Sequence, residues 1–408
     1  MKKFTVATLG CRTNQYESQA YADQLKTLGF VQAKEGETAD LCIVNTCTVT
    51  HAADSSSRSQ IRQLLREHPG AQVAVTGCMA ESSPQEILSL GDGIQIISNK
   101  DKEQLVGILF PEQADLPEFN IKAFDDRTRA FVKVQDGCNS FCTYCIIPYV
   151  RGRSRSRQIG EIVDEVRGLA AGGYKEVVIT GINVGDFDGG GRLADLVRAV
   201  DRVEGIERIR ISSIDPDEID DDLADAVLNG RACCPSMHIV LQAGSNVVLK
   251  RMNRKYSRQI FLQTVEKLLA KNPHFTVTTD IIVGFPGESD ADFADTLDVV
   301  RQVKFAKVHM FPYSPRKRTR AALYPNQVPA DVIRQRKGEL MRLAEQMAFE
   351  LRNRFVGRKM KVLVEQGQHG HTDNFLPVTI EEGQCSPNDI VECILNENRP
   401  DGLVGQLA

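Results

Sequence analysis

The stretch FVKVQDGCNSFCTYCIIPYVRGRSRSR, residues 131–157, decides how this chain is read. Its apolar opening, Phe131 to Val134, has the pattern of a strand, and Gly137 lets the backbone turn tightly after it. Cys138, Cys142 and Cys145 follow in a C-x3-C-x2-C spacing. Three thiolates on one short loop can hold three corners of a metal centre. A structural zinc site normally takes four protein ligands, and no fourth Cys or His stands nearby. An electron-transfer iron–sulfur cluster also takes four. A 4Fe-4S cluster held by three cysteines leaves one iron open to a small molecule, which is the chemical content of the spacing. The competing structural reading is three incidental or buried cysteines.

The rest of the composition agrees with metal or redox work. At about one domain per ~150 residues, 408 residues make two or three domains, each able to bury a core. The start MKKFTVATLG carries charge but no long apolar run, so a secretory signal is not expected. No apolar stretch approaches the ~20 residues that span a bilayer, so no membrane partner is expected either. Eleven cysteines without export argue against disulfides and for a reducing, cytoplasmic location. The net charge of -4 does not announce nucleic acid. Local charge does: Arg151, Arg153, Arg155 and Arg157 alternate just after the cysteine loop, and a second knot holds Arg316, Lys317, Arg318 and Arg320. A third set lies on the charged segment from 334 to 361. Any one run is commonly a solvated face; three together favour phosphate binding.

Upstream of the loop, strands at 3–9, 41–45, 71–76 and 94–98 alternate with helices at 15–28, 51–66, 84–90 and from 101, the mark of βαβ units. A doubly wound α/β domain over 1–125 is expected. Cys11, Cys47 and Cys78 each follow one of its strands, and open α/β sheets bind ligands beyond the carboxyl ends of their strands. Cys42 lies inside a strand and reads as core. From 126 to 340, strands at 131–134, 176–180, 207–212, 237–241, 276–283 and 307–311 with intervening helices make a parallel barrel of about six units. Sites in such barrels lie at the carboxyl ends of the strands, here Thr180, Gly181, Asn183, Ser212, Ser213, Gln242, Ser245 and Asp280. From 341 a helix leads to the alternating runs KVLVEQ, FLPVTI and IVECIL, a small β-barrel of a kind often used on nucleic acid. Cys233, Cys234, Cys385 and Cys393 read as structural.

The loop GCNSFCTYCIIPYVRGR, with LGCRTNQYES, NTCTVT and TGCMA, resembles the radical S-adenosylmethionine (SAM) methylthiotransferases over nearly the whole chain. The resemblance implies a partial (βα)6 barrel and a C-terminal TRAM-like RNA-binding barrel, the latter on the weaker phrase GHTDNFLPV. It implies two 4Fe-4S clusters: Cys138, Cys142 and Cys145 hold one that binds SAM and cleaves it to a 5′-deoxyadenosyl radical. Cys11, Cys47 and Cys78 hold an auxiliary one that carries sulfur. SAM contacts are expected from Tyr144, Thr180, Gly181, Asn183, Ser213, Gln242 and Asp280, with Gly181 and Gly284 admitting the nucleotide closely. An electron donor such as a flavodoxin or ferredoxin is implied. The substrate-type motifs are most like the branch acting on N6-threonylcarbamoyladenosine in tRNA, beside the anticodon. Isopentenyladenosine in tRNA or a ribosomal-protein aspartate are the alternatives within the family. The arginines at 151–157 would then grip phosphates of the anticodon stem-loop. The contrasting class is a non-catalytic RNA-binding protein whose cysteines hold zinc. One departure stands in SPRKRTRAA, where Arg318 replaces a glycine common in the family and puts the loop's shape in question.

Overall fold

The computed structural model describes residues 2–113, 115–124 and 127–408, so the domain boundary expected at 125/126 lies outside the described residues. Five strands, β1 (Lys3–Thr8), β2 (Val31–Gln32), β3 (Leu41–Thr46), β4 (Gln72–Gly77) and β5 (Ile94–Ile96), form one parallel sheet in the order β2-β1-β3-β4-β5. Every residue of β3 is buried, as a central parallel strand covered on both faces requires. Leu41 and Ile43 point into a core with Tyr21, Leu25 and Leu105. Cys42 and Val44 point the other way, against Ile61 and Leu64 of the helix His51–Glu67. Strand order reverses between β1 and β3, and ligands of doubly wound sheets bind at that reversal. Cys11 and Cys47 leave these two strands, and Cys78 leaves the neighbouring β4.

The second unit contains β6 (Arg129–Lys133), an antiparallel pair β7 (Gln135–Asp136) and β8 (Arg155–Ser156) that brackets the cysteine loop, then β9 (Glu176–Thr180), β10 (Arg208–Ile211), β11 (Ser236–His238), β12 (Thr276–Val283) and β13 (Lys307–Pro312). The parallel triples β6-β9-β10 and β11-β12-β13 are joined by single bridges, Ile209 to Cys233 and Ile214 to Ile239. The result is an open six-stranded barrel. Tyr16 and Ala20 of the helix Arg12–Thr27 are part of the barrel's own core, so the first unit is packed into the second.

The third unit is a closed barrel of β14 (Lys359–Gln366), β15 (His369–Thr372), β16 (Pro377–Glu382), β17 (Ile390–Arg399) and β18 (Gly402–Leu407). β15 and β18 escape sequence reading because HGHT and GLVGQL lack aliphatic alternation. Their glycines serve close packing: a Cβ on Gly370 would stand 2.1 Å from the Leu363 carbonyl oxygen. The division expected at 340/341 cuts one unbroken helix, Ala330–Asn353. Leu340 and Met347 pack in the central core, whereas Leu351 joins the terminal barrel, so the chain changes unit near the helix's end. The turn between β15 and β16 docks under the central barrel. Arg210 donates to the carbonyls of Asp373 (2.8 Å) and Thr372 (3.0 Å), and Arg208 to that of His371 (2.9 Å). Phe375 in this turn sits at φ 65, a left-handed conformation costly for a bulky residue. Arg318 takes φ 72, so the loop keeps a glycine-like shape without the glycine.

Candidate active site at the junction of three units

Around the first cysteine trio, side-chain amides and hydroxyls stitch three loops together. Asn14 donates to the carbonyls of Leu9 (2.7 Å) and Thr46 (3.1 Å), joining the Cys11 and Cys47 loops. Thr46 Oγ1 accepts from the backbone N–H of Met79 (3.1 Å) and Ala80 (3.3 Å), which ties in the Cys78 loop. Gly10, at φ +94, lies so close to Cys47 that a Cβ there would meet its Sγ at 2.9 Å. The thiols act on one another electrostatically. Burial, then Cys78 and Cys11, push Cys47 up to about 12. Burial also raises Cys78, and the nearby Arg151 opposes it.

The second trio lies between β7 and β8. Phe141 takes φ 49 to fold the loop back, and Arg254 Nη1 donates to Cys142 Sγ at 2.9 Å while pairing with Asp215. Burial, then Cys142, push Cys145 up to about 12. Cys78 of the first set is buried in one small apolar cluster with Val150 and with Ile146, the residue after Cys145. Among the described residues no group of three or more His, Cys, Asp or Glu is arranged to hold a single metal ion. The corners of a four-iron cluster stand farther apart than the ligands of one ion. The residues fit such a cluster on other grounds: three soft thiol donors each, glycine clearance at Gly10, and cationic Arg151 and Arg254 beside them.

The carboxyl ends of the barrel strands fit a polar ligand in part. Ser212 Oγ and Gln242 Oε1 are buried with no hydrogen-bond partner among the described residues, and buried polar atoms are seldom left so. Gln242 itself sits at φ 61. Thr180 ends β9, and Asp280 lies midway along β12 with its Oδ1 3.3 Å from His238 Nε2, while Ser213 is exposed. Gly181 needs correction: the space its Cβ would fill is held by Gln135, whose Oε1 would be 2.9 Å away. Ile333 fills the same space at Gly284. Both glycines admit protein side chains there. Asn183 donates to Glu218 at 3.1 Å, and Tyr144 packs edge-on to Phe285 with centroids 6.4 Å apart. Ser245 caps the unexpected helix Asn246–Arg251, accepting from the Val247 N–H at 3.2 Å.

Arg151 is also corrected. Its side chain is fully buried and donates to Asp136 (2.8 Å), Glu17 (3.2 Å) and Asn14, so it holds the first unit on the second and grips no phosphate. Lys102 and Lys133 complete this buried network, with Lys102 2.7 Å from Glu17. Burial alone would raise Glu17, yet Arg151, Lys102 and Lys133 hold it at about 2. Arg157 is half-buried against Glu165 at 2.6 Å. Arg153 and Arg155 remain exposed, Arg153 over the Phe141 ring at 4.5 Å.

Sequence reading passed over Glu218 and Arg254; DPDE signalled the first only as a loop. Burial, then Asp215, push Glu218 from 4.5 up to about 7. A carboxyl raised on folding stabilises the protein below its unfolded pKa, and that stability is lost as pH rises through the folded pKa. Stability is therefore expected to fall by up to about 3 kcal/mol between pH 4.5 and 7 from this group. Urea midpoints across that range should be flatter in Glu218→Gln; an identical slope would remove Glu218 as the cause.

Where the three units meet lies a cavity of about 730 Å³. Arg12 and Gln15 of the first unit, Phe131, Arg210 and His238 of the barrel, and Phe375 of the third unit line it. Its volume falls within the range of small-molecule sites.

An open parallel barrel whose first strand leads into a three-cysteine loop, facing a second trio across a unit boundary, defines an iron–sulfur enzyme of the partial-barrel class. Residues 132–300 match the radical SAM superfamily and residues 3–98 an uncharacterized protein family, UPF0004. The chain is 50% identical to threonylcarbamoyladenosine tRNA methylthiotransferase MtaB of Chlamydia pneumoniae, over 99% of this chain and 98% of that one. It is 37% identical to the Bacillus subtilis protein of the same name, over 92% and 89%. It is 36% identical to tRNA-2-methylthio-N(6)-dimethylallyladenosine synthase of Carboxydothermus hydrogenoformans, over 100% and 95%. A radical SAM methyltransferase from Kitasatospora setae shares the fold at a TM-score of 0.58 and 14% identity, over 78% of this chain and 75% of that one. The chain belongs to the radical SAM tRNA methylthiotransferase family. It is an enzyme, and the non-catalytic zinc reading is set aside. Membership implies a 4Fe-4S cluster and SAM. Among the described residues no helix is long and apolar enough to cross a membrane.

Proposed function

We propose that this enzyme adds a methylthio group to C2 of N6-threonylcarbamoyladenosine beside the anticodon of tRNA, in the cytoplasm. The reading rests on two sets of three cysteines, Cys78 of one packing against Ile146 just after Cys145 of the other, and on a cavity of about 730 Å³ where the units meet. The MtaB relatives' names supply the substrate. In this reading Cys138, Cys142 and Cys145 hold the SAM-binding cluster, and Cys11, Cys47 and Cys78 hold an auxiliary one. When bound, these groups supply one-electron cleavage of SAM and the sulfur to be delivered, with a small redox protein such as a flavodoxin or ferredoxin as donor.

The chain's own residues do the positioning. Arg254 steadies Cys142, and Asn14, Thr46 and Arg151 keep the two trios in register. Thr180, Ser213, Gln242 and Asp280 offer polar groups to SAM at the mouth. All three units contribute to the cavity's lining, and its arginines suit an RNA ligand. Anaerobically reconstituted protein given SAM, reductant and threonylcarbamoylated tRNA should yield the 2-methylthio nucleoside by mass spectrometry of the digest. 5′-Deoxyadenosine with unchanged tRNA would mean another substrate.

Arg153 and Arg155, exposed beside the cysteine loop, are assigned to loop phosphates. Arg153→Glu with Arg155→Glu should lower tRNA affinity about tenfold or more and cut the salt slope by about one per arginine. Unchanged affinity and slope would place the phosphate contacts elsewhere.

A further inference from the structure

Arg12 follows Cys11 directly and extends into the cavity, its guanidinium 5.6 Å from the Phe131 ring centroid. Of the other arginines lining the cavity, Arg127 lies 5.5 Å from the same Phe131 ring centroid with no side-chain ion pair among the described residues, whereas Arg210 and Arg129 are matched. Arg210 donates to Glu176 at 2.9 Å, and Arg129 pairs with Glu365 at 2.6 Å. Arg12 has neither a hydrogen bond nor an ion pair among the described residues. Arg127, Arg129 and Arg210 line the same cavity, which concentrates positive charge around it. An exposed guanidinium over an aromatic ring at a cavity, with no ion pair among the described residues, is a receptor for an oxyanion.

The candidate substrates differ in this property. In a threonylcarbamoyl arm, threonine is joined through its amine, so its carboxylate is free and charged at neutral pH. A dimethylallyl arm is apolar and leaves Arg12 without an anion. Resting on the substrate reading above, we propose that Arg12 receives the carboxylate of the threonylcarbamoyl arm and thereby selects this nucleoside over adenosines with neutral arms. Its place next to Cys11 puts the selecting group one residue from the expected sulfur-delivering site, so recognition of the arm and placement of the base are set by one loop. Two other oxyanions share the chemistry, the backbone phosphates of the RNA and the carboxylate of SAM, and the test separates them.

Anticodon stem-loops of one sequence would carry threonylcarbamoyladenosine, its neutral carboxamide, or plain adenosine. Binding to the cluster-loaded protein is read by fluorescence anisotropy at fixed salt, alongside kcat/KM for methylthiolation and the affinity for SAM. Wild type should prefer the carboxylate RNA over the carboxamide by about 30-fold or more. Arg12→Gln should lose that preference while holding plain-adenosine RNA and SAM as before, and Arg12→Lys should restore part of it. Iron content and the thermal midpoint of Arg12→Gln check that the fold is intact. Equal weakening of all three RNAs would assign Arg12 to backbone phosphate, and weakening of SAM alone would assign it to the cofactor; either overturns the proposal. So would wild type binding carboxylate and carboxamide RNA alike. The substrate reading fails separately, if wild type makes no methylthio product on the carboxylate RNA.

Discussion

Cys142→Ala is expected to abolish 5′-deoxyadenosine formation, a loss of more than about a thousandfold, because two remaining thiolates cannot hold a cluster with one iron left open. Cys142 is the trio's central member and the one that Arg254 contacts. Removing it also leaves Arg254 without a sulfur partner, although Asp215 still pairs with it. Cys47→Ala should behave differently. It lies across the unit boundary, so 5′-deoxyadenosine should still form while the 2-methylthio product disappears from the nucleoside digest. The pair of variants separates the two sites in one assay. Loss of 5′-deoxyadenosine in both would make them one interdependent centre. Retention of product in Cys47→Ala would remove the first unit from sulfur delivery altogether.

Arg151→Met should cost about 3 kcal/mol of unfolding free energy, seen as a lower guanidinium midpoint with the slope unchanged. Arg151, Glu17 and Asp136 are all but fully buried, with side-chain exposures of 0%, 0% and 3%. Removing one partner of a buried charge pair typically costs about 3–5 kcal/mol, because the other charge stays in low dielectric. The lower end applies, since Lys102 still reaches Glu17 at 2.7 Å and Asp136 at 2.5 Å. Asn14 would also lose its Arg151 contact, loosening the Cys11 loop, so iron bound per chain should drop in Arg151→Met. Arg151→Lys should recover part of both. Unchanged stability would mean that the apolar contacts of Tyr16 and Ala20 alone hold the first unit in place.

Much of this was legible along the chain. Helix and strand periods placed most elements, because each reflects burial of a local face; IGEIVDEVRGLAA reads as the helix that forms, Ile159–Ala171. The C-x3-C-x2-C spacing and the placement of Cys11, Cys47 and Cys78 after strands were legible too, while the assignment of the second set to a cluster came from the family resemblance. What adjacency in sequence misread was Arg151. RGRSRSR is an even alternation, and nothing in it distinguishes Arg151 from Arg153. They part only when Asn14, 137 residues away, and Glu17, 134 away, arrive from another unit and bury one of them. At Gly181, likewise, only the fold shows that the space a Cβ would fill is held by Gln135.

By itself, the sequence determined which residues can bear sulfur, metal and charge, and the layered architecture that carries them, since spacing and hydrophobic period act over a few residues. The tertiary structure alone decided which charges are neutralised and which stay free. It buried Arg151, left Arg153 exposed and brought Arg12 to the shared cavity with no ion pair among the described residues. The cause is physical: a charge's role depends on burial and on partners within a few ångströms, and for Arg151 two of those partners, Asn14 and Glu17, come from more than a hundred residues away.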